Sequence, residues 1–387
     1  MQEFSFATTA RMTVGQPVAD VLRAYCARQR LSNVMIVTDA GIQAAGLLGS
    51  TLTELQNQGI EVVVFDAVEP DPSSATVLSA IDLAKSANAQ VIIGFGGGSS
   101  MDVAKLVALL SHPDNQQSLD AVFGVDQARG QRLNLVQVPT TAGTGSEVTP
   151  IAIVTTGGTT KAGVVSDRLQ PDLAILDPDL TLGLPPHITA ATGIDAMVHA
   201  IEAYTSKIRK NPYSDMLARQ ALQILSHNIH TAVTEGSNRE ARANMLLGAM
   251  LAGQAFANAP VAGVHALAYP LGGHFHISHG LSNALVLPHV LKFNHSHAMA
   301  LYAELAPLLC SSITSDVPQA EASMALIDYC ANISSELGLP ERLRDCNVPK
   351  EFLPQLAEDA MLQQRLLVNN PRTITRDDAF KIYQEAF

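Results

Sequence analysis

The sequence predicts an α/β N-terminal domain built on a parallel sheet, followed by an all-α C-terminal domain. Three observations carry that prediction. Short aliphatic, β-branched runs alternate with helical patterns through the first half. Those runs stop after residue 176, and from Pro185 onward apolar residues recur at helical spacing. Between the two regimes lies Asp177-Pro-Asp-Leu-Thr-Leu-Gly-Leu-Pro-Pro186, rich in proline and without helical period, which reads as a linker. The boundary is placed at 184, giving domains 1–184 and 185–387.

The strands are expected at 34–38, 62–65, 91–95, 135–138 and 173–176. Helices are expected between them at 41–58, 73–87 and 99–110, each with apolar residues at helical spacing and a start signal. Residues 4–14 alternate enough to form an edge hairpin. In the second half, helices are expected at 188–204, 213–234 and 239–257, with several more towards the C-terminus. No fixed-period repeat or low-complexity tract interrupts this order.

Composition narrows the functional classes. A chain of 387 residues, 47% hydrophobic and 16% charged, can bury a sizeable core. Its net charge of -12, with Lys and Arg scattered, argues against a nucleic-acid or anionic-membrane partner. Cys26, Cys310, Cys330 and Cys346 are widely spaced and suggest free thiols, not a disulfide framework. The N-terminal segment carries an early acid and no basic start or apolar stretch of the signal-peptide kind, so a cytoplasmic location is expected. The most membrane-like stretch, 245–275, is interrupted by Gln254, Asn258, Pro260, His265 and His274, and buried helices of a soluble core explain it better.

Two loops have the chemistry of a nucleotide site. Gly94-Phe-Gly-Gly-Gly-Ser-Ser-Met-Asp102 leaves an expected strand and opens an expected helix. Glycines let a phosphate approach the backbone, and a helix's first turn offers unpaired N–H groups with partial positive charge. The same string also fits an ordinary glycine-rich turn with Ser99 or Ser100 as the N-cap. Residues 139–149 follow another strand and hold five hydroxyl side chains and two glycines in eleven residues. Two such loops at the carboxyl ends of successive strands favour a nucleotide over a merely solvated surface. Asp39 follows a strand, where a carboxylate suits a ribose and repels a 2′-phosphate, favouring NAD over NADP; it equally suits the N-cap of the next helix.

A metal site is suggested in the second half. Asp195 and His199 are four apart on one helical face, among small and apolar neighbours. Burying a carboxylate beside an imidazole is costly unless they pair with each other or with a cation. Gly263-Val-His-Ala-Leu-Ala-Tyr-Pro-Leu-Gly-Gly-His-Phe-His-Ile-Ser-His-Gly280 adds four more histidines. His265 is expected on an apolar helix ending before Pro270, and His279 at the start of the next helix, so two helix ends can converge on one ion. His274 and His276 are expected in the loop between, facing solvent or substrate.

These motifs, in this order, resemble those of the iron-containing, or group III, alcohol dehydrogenases over nearly the whole chain. Its marks are residues 96–102, 139–149, 193–202 and 265–280. The resemblance implies the dehydroquinate synthase-like architecture, an N-terminal dinucleotide domain and a C-terminal helical domain with cofactor and metal in a cleft between them. It implies metal ligation by Asp195, His199, His265 and His279, with Fe²⁺ the usual ion and Zn²⁺ used by some members. Carried over for NAD are Asp39 on the adenosine ribose, Gly97, Gly98 and Ser99 on the pyrophosphate, and Thr140, Thr141 and Thr144 around adenine and phosphate. Asp102, Ser146, Thr149, Lys161, Leu176 and Leu182 are candidates on the nicotinamide side, although Lys161 also suits a plain surface position. Many members place a further histidine, implicated in proton relay, four residues after the third ligand; here Tyr269 stands there. A phenol, with an ordinary pKa near 10, is a poor base at neutral pH. The departure therefore bears on the proton path and leaves the four ligands untouched.

The implied activity is hydride transfer between a small alcohol, or an aldehyde or ketone, and NAD. The protein's implied tasks are alignment and exclusion of water. Maleylacetate reductases and hydroxyacid–oxoacid transhydrogenases share this fold and are the alternatives within it. Dehydroquinate synthase-like lyases lack the patterns at 193–202 and 265–280 as they stand here. A non-catalytic nucleotide-binding protein would be expected to have lost a ligand. The resemblance also implies a homodimer paired through the segment 4–14.

Overall fold

A computed structural model describes residues 3–157, 160–314 and 316–387. Met1, Gln2 and Thr159, which entered the readings of the N-terminal segment and of the string around Lys161, lie outside the described residues. The chain divides into two compact units, Thr8–Gly183 and Leu184–Phe387, and residues 3–7 belong with the second.

The first unit is a doubly wound α/β structure. In chain order it comprises β1 (Met12–Val14), α1 (Val18–Gln29), β2 (Asn33–Val37), α2 (Ala40–Ala44), α3 (Gly49–Asn57), β3 (Glu61–Phe65) and α4 (Ser74–Ser86). It continues with β4 (Val91–Gly96), α5 (Gly98–Leu110), β5 (Gly124–Val125), β6 (Asn134–Pro139), β7 (Ile151–Thr156), β8 (Thr160–Val165) and β9 (Leu173–Leu176). Six strands form one sheet in the order β1-β9-β6-β4-β2-β3, every pairing parallel. One apolar cluster joins α1 and α3 to one face, through Leu22, Leu55, Ile36, Ile93 and Phe95. A second joins α4 and α5 to the other, through Val77, Ile81, Leu106, Met35 and Ile92. The helices after β2 and β4, neighbours in the sheet, thus leave for opposite faces. That reversal opens a crevice at the carboxyl ends of the two strands, the usual place for a ligand on such sheets.

Several expectations need correction here. Residues 4–14 form no edge hairpin: only Met12–Val14 is a strand, and it pairs parallel to β9 at the sheet edge. The segment 41–58 is two helices, because Gly46 at φ +69° breaks the turn between them, a conformation that glycine adopts without strain. An antiparallel hairpin, β7 with β8, stands where no strand was expected, and β5 joins β8 to complete a three-stranded sheet. The β-branched run Ile151-Ala-Ile-Val-Thr-Thr156 is the signal that finds it.

The second unit is helical: α6 (Pro186–Thr205), α7 (Pro212–Thr234), α8 (Arg239–Asn258), α9 (Gly263–Phe275), α10 (His279–Leu309), α11 (Gln319–Glu336), α12 (Leu353–Ala360), α13 (Gln364–Leu367) and α14 (Arg376–Ala386). Residues 3–7 lie against it, with Phe4 and Phe6 on the Tyr213 ring and the Ala7 N–H donating to Asn258. The start of α7 shows why the sequence folds so locally. Asn211 and Ser214 form a reciprocal capping box, and Pro212 takes a first-turn position where no N–H is needed.

Contrary to expectation, α9 does not end before Pro270 but runs through it to Phe275. Proline removes one helical N–H and its ring disturbs the preceding turn's carbonyls. The buried Tyr383 hydroxyl donates to the Leu267 carbonyl at 2.6 Å, satisfying an acceptor in that turn. Among the described residues no single helix is long and apolar enough to cross a membrane; α8 and α9 meet that test only together, across a bend of 107°.

Candidate metal centre and nucleotide loops

The middle of α6 is buried on every side, which its small residues make possible. A Cβ on Gly193 would fall 2.8 Å from the Ile229 and Met245 side chains, so α6 lies closer to α7 and α8 than any other residue allows. Gly280, in the first turn of α10, meets α6 backbone to backbone: its Cβ would stand 2.3 Å from the Ala191 carbonyl oxygen. The glycine after His279 thus lets α10 start directly against α6.

That approach brings Asp195 and His199 from α6, His265 from α9 and His279 from α10 together, with one potential ligand atom from each within 4.8 Å of all the others. The Asp195 Oδ1 lies 3.5 Å from Nε2 of His279, 3.9 Å from that of His265 and 4.0 Å from that of His199. The His199 ring is stacked between Phe256, at 4.3 Å between centroids, and His265, at 4.7 Å. Asp195, His199 and His265 are buried and His279 partly so. Burial works to raise the pKa of Asp195, but the imidazoles of His199, His279 and His265 and a hydrogen bond from Asn283 outweigh it and hold the carboxyl below its ordinary value. One carboxylate and three imidazoles, buried and converging, are the donor set of a divalent transition metal.

Glu202, quoted in the α6 motif but not singled out, completes the support. Its Oε2 accepts from the Ala262 N–H at 2.9 Å and from Nδ1 of His265 at 2.7 Å, and its Oε1 accepts from the Val264 N–H at 2.7 Å. One buried carboxylate therefore caps the start of α9 and accepts a hydrogen bond from Nδ1–H of His265, the tautomer that leaves the Nε2 lone pair turned to the cluster. The signal was available, since Glu202 continues the helical face i, i+3 from His199 in an apolar segment.

His274 and His276 lie apart from this cluster. His274 is in the last turn of α9, 2.6 Å from Asp359 and edge-on to Phe352, and His276 is the exposed left-handed cap of that helix. Tyr269 projects beside His279, with 6.0 Å between ring centroids.

In the first unit the two small-residue loops meet. The Thr140 N–H donates to the Gly96 carbonyl at 3.0 Å, and a Cβ on Gly98 would stand 2.8 Å from the Thr144 methyl carbon. Gly96, at φ +155°, turns the chain where a Cβ would meet Ser100 at 2.7 Å. Gly97, not Ser99 or Ser100, is the N-cap of α5, and Ser99 lies inside its first turn. Asp39 stands at the neighbouring strand end and divides its two oxygens. Oδ1 caps α2 through the Ile42 N–H, while Oδ2 faces Ser100 and Gly96. Asp39, Gly97, Gly98, Ser99, Thr140, Thr141 and Thr144 thus gather around the crevice at the β2 and β4 ends.

Asp102, Ser146 and Thr149 instead point inward, to a residue that sequence reasoning missed. Lys105 is fully buried in α5, and its ammonium donates to Ser146 at 2.7 Å, Thr149 at 3.2 Å and the Ile151 carbonyl at 2.7 Å. Ser146 in turn donates to Asp102 Oδ1 at 2.6 Å, and the Ile153 N–H donates to its Oδ2 at 2.9 Å. Burial pushes Lys105 down to about 8, against the attraction of Asp102 and Glu147. It pushes the buried Glu147 up to about 7. A lone lysine within the apolar run 101–110 was the available signal. Lys161, on β8, is largely buried and pairs with Asp71 at 2.6 Å, which removes the plain surface reading. Leu176 ends β9 fully buried, and half-buried Leu182 follows the short 3₁₀ turn Pro178–Thr181.

Comparison with known proteins agrees in both units. Residues 9–178 match the family described as iron-containing alcohol dehydrogenase, and residues 189–387 match its C-terminal region. The chain is 38% identical to long-chain-alcohol dehydrogenase 1 of Geobacillus thermodenitrificans, over 97% of this chain and 94% of that protein. Its fold superposes on a crystal structure of 1,3-propanediol oxidoreductase with a TM-score of 0.95 at 34% identity, covering 100% of both chains. It also superposes on sulfoacetaldehyde reductase from Bifidobacterium kashiwanohense in complex with NAD⁺, with a TM-score of 0.88 at 27% identity, covering 100% of this chain and 99% of that one.

Two outcomes are expected from these networks. Glu202→Gln keeps the shape but turns an amide towards N–H groups that now meet a carboxylate, and metal affinity should fall about ten- to a hundredfold, as for other partners of metal-binding histidines. Competition with a chromogenic chelator measures it. Lys105→Met leaves buried carboxylates without their cation, at an expected cost of about 3–5 kcal/mol in denaturant unfolding. Glu147, raised from an ordinary 4.5 to about 7, already loses stability as pH climbs through that window. Without Lys105 its pKa rises further, so the deficit should be larger at pH 8 than at pH 5.

Proposed function

Because the chain belongs to the iron-containing alcohol dehydrogenase family, we propose that it is a metal-dependent alcohol dehydrogenase transferring hydride between a small alcohol and NAD. The observation that carries this reading is the buried convergence of Asp195, His199, His265 and His279 within 4.8 Å. The residues fit a divalent ion: an anionic oxygen and three imidazole nitrogens, one of them oriented by Glu202. Fe²⁺ is the proposed ion, and Zn²⁺ suits the same donors.

When bound there, the ion supplies Lewis acidity that favours loss of the alcohol proton and, in reverse, polarises the carbonyl. The protein's own residues hold and align. Asp195 and the three histidines fix the centre, and Phe256 closes one side of His199 with an apolar ring. Gly97, Gly98 and Ser99 open α5, whose first N–H groups suit a pyrophosphate, while Thr140, Thr141 and Thr144 surround the same crevice. Asp39 presents Oδ2 for a ribose hydroxyl. Asp102, Ser146 and Thr149 act from behind, held by Lys105, and shape the loop that serves the nicotinamide side. Lys161, Leu176 and Leu182 belong to that same side in this reading. Tyr269 lines the approach to His279 without serving as the general base. A cytoplasmic homodimer without a nucleic-acid or membrane partner is part of the same proposal, supported by the acidic composition and the family resemblance.

The test is a spectrophotometric panel of alcohols and aldehydes with NAD(H) after Fe²⁺ or Zn²⁺ reconstitution. Turnover of small alcohols is expected, lost together with bound metal on chelation and in His265→Ala. Full metal occupancy in that variant, read by elemental analysis, would reject the ligand assignment, and turnover confined to maleylacetate or to a hydroxyacid–oxoacid pair would redirect the reading within the fold. Asp39→Gly should raise the relative use of NADP about tenfold or more, since roughly 1.4 kcal/mol of lost repulsion suffices. An unchanged ratio of kcat/KM for the two cofactors would leave Asp39 as a cap alone.

A further inference from the structure

One side chain touches ligand residues from all three helices of the metal cluster, and it is not itself among them. Asn283 lies one turn after His279 on α10 and is fully buried. Its Nδ2 stands 2.6 Å from Oδ1 of Asp195 on α6, 3.2 Å from Nε2 of His265 on α9 and 3.3 Å from Nε2 of His279. Its Oδ1 is buried without a hydrogen-bond partner among the described residues. A buried amide normally satisfies both ends, so contacts made only through nitrogen, and only to ligand atoms, need a reason.

We propose that Asn283 is a positioning residue of the metal centre, whose amide N–H fixes the ligand oxygen of Asp195 and thereby sets the ion's affinity and coordination geometry. The proposal rests on the metal-centre reading above. The oxygen that Asn283 holds, Oδ1, is the one that faces all three imidazoles. A carboxylate on a short side chain can otherwise rotate, offering either oxygen or both; a hydrogen bond to Oδ1 selects one oxygen in one orientation and leaves a second lone pair for a cation. An amide suits this place because it donates without adding charge. A lysine would repel the ion, and a second carboxylate would compete for it. The position also follows from the backbone, because the close seating of Gly280 on Ala191 brings the first turns of α10 against the α6 residues that carry Asp195. Asn283 is thus to Asp195 what Glu202 is to His265: each orients one ligand, from the donor side and from the acceptor side.

The experiment titrates metal-stripped protein with Co²⁺ and Zn²⁺, reading affinity by chelator competition and geometry from the Co²⁺ d–d spectrum, with circular dichroism and melting as folding controls. Wild type should bind one ion per chain, and if it binds none, it is the metal-centre reading that fails. Asn283→Leu, near in size and lacking the donor, should bind about ten- to a hundredfold more weakly, with an altered Co²⁺ spectrum. Should it fold poorly, Asn283→Ser and Asn283→Ala decide the matter. The hydroxyl variant is expected to retain at least tenfold more affinity than the methyl variant, since only it can donate. Wild-type affinity and an unchanged spectrum in the Leu variant, or equal affinities for Ser and Ala, would overturn the proposal.

Discussion

A carboxylate buried in an apolar helix is the constraint around which the second unit is arranged. Asp195 lies in the middle of α6, where desolvation of its charge costs several kcal/mol unless opposite charge or hydrogen bonds meet it. The compensation comes from three helices: His199 from the same one, His265 from α9, His279 and Asn283 from α10. Those groups reach it only because glycines let the helices close up, at Gly193 against α7 and α8 and at Gly280 against Ala191. The packing and the chemistry are therefore one requirement. A Cβ at Gly280 would push α10 away, taking with it both His279 and the Asn283 amide that donates to Asp195.

The first unit repeats the logic with the opposite charge. Lys105 is a buried cation, and the groups that satisfy it come from α5, from the loop that follows β6, and from β7. Binding sites work best on groups that do not reorganise when the ligand arrives. Lys105 ties the threonine-rich loop to α5, and in the proposed reading that bond keeps the two in place when a ligand arrives. Asp102, Ser146 and Thr149 contribute through this internal network, with both Asp102 oxygens already accepting hydrogen bonds.

Small departures in local structure also follow from satisfying polar groups. α9 passes through Pro270, and a tyrosine hydroxyl from α14 donates to the Leu267 carbonyl in the turn before it. Asp39, which from its position suited either a cap or a ribose contact, has two oxygens facing two directions, so the cap does not consume the group that faces the glycine loop.

The sequence by itself determined the fold class and the parallel order of alternating strands and helices, and it named four ligand candidates that the structure brings together. These are periodic or motif-level properties, and they survive without knowledge of distant contacts. It did not reveal the β7–β8 hairpin, the break at Gly46, or the passage of α9 through Pro270, because each depends on what packs or bonds nearby rather than on local period. Nor did it reveal Lys105, Glu202 or Asn283 as structural determinants. A buried lysine reads as one polar residue in an apolar helix, and an asparagine four after a histidine reads as nothing more than a helical neighbour. Their roles exist only once residues 88 apart, as Asn283 and Asp195 are, stand at hydrogen-bond distance. Tertiary structure decided those roles because the energy of a buried polar group is set by its partners in space, and chain position does not name them.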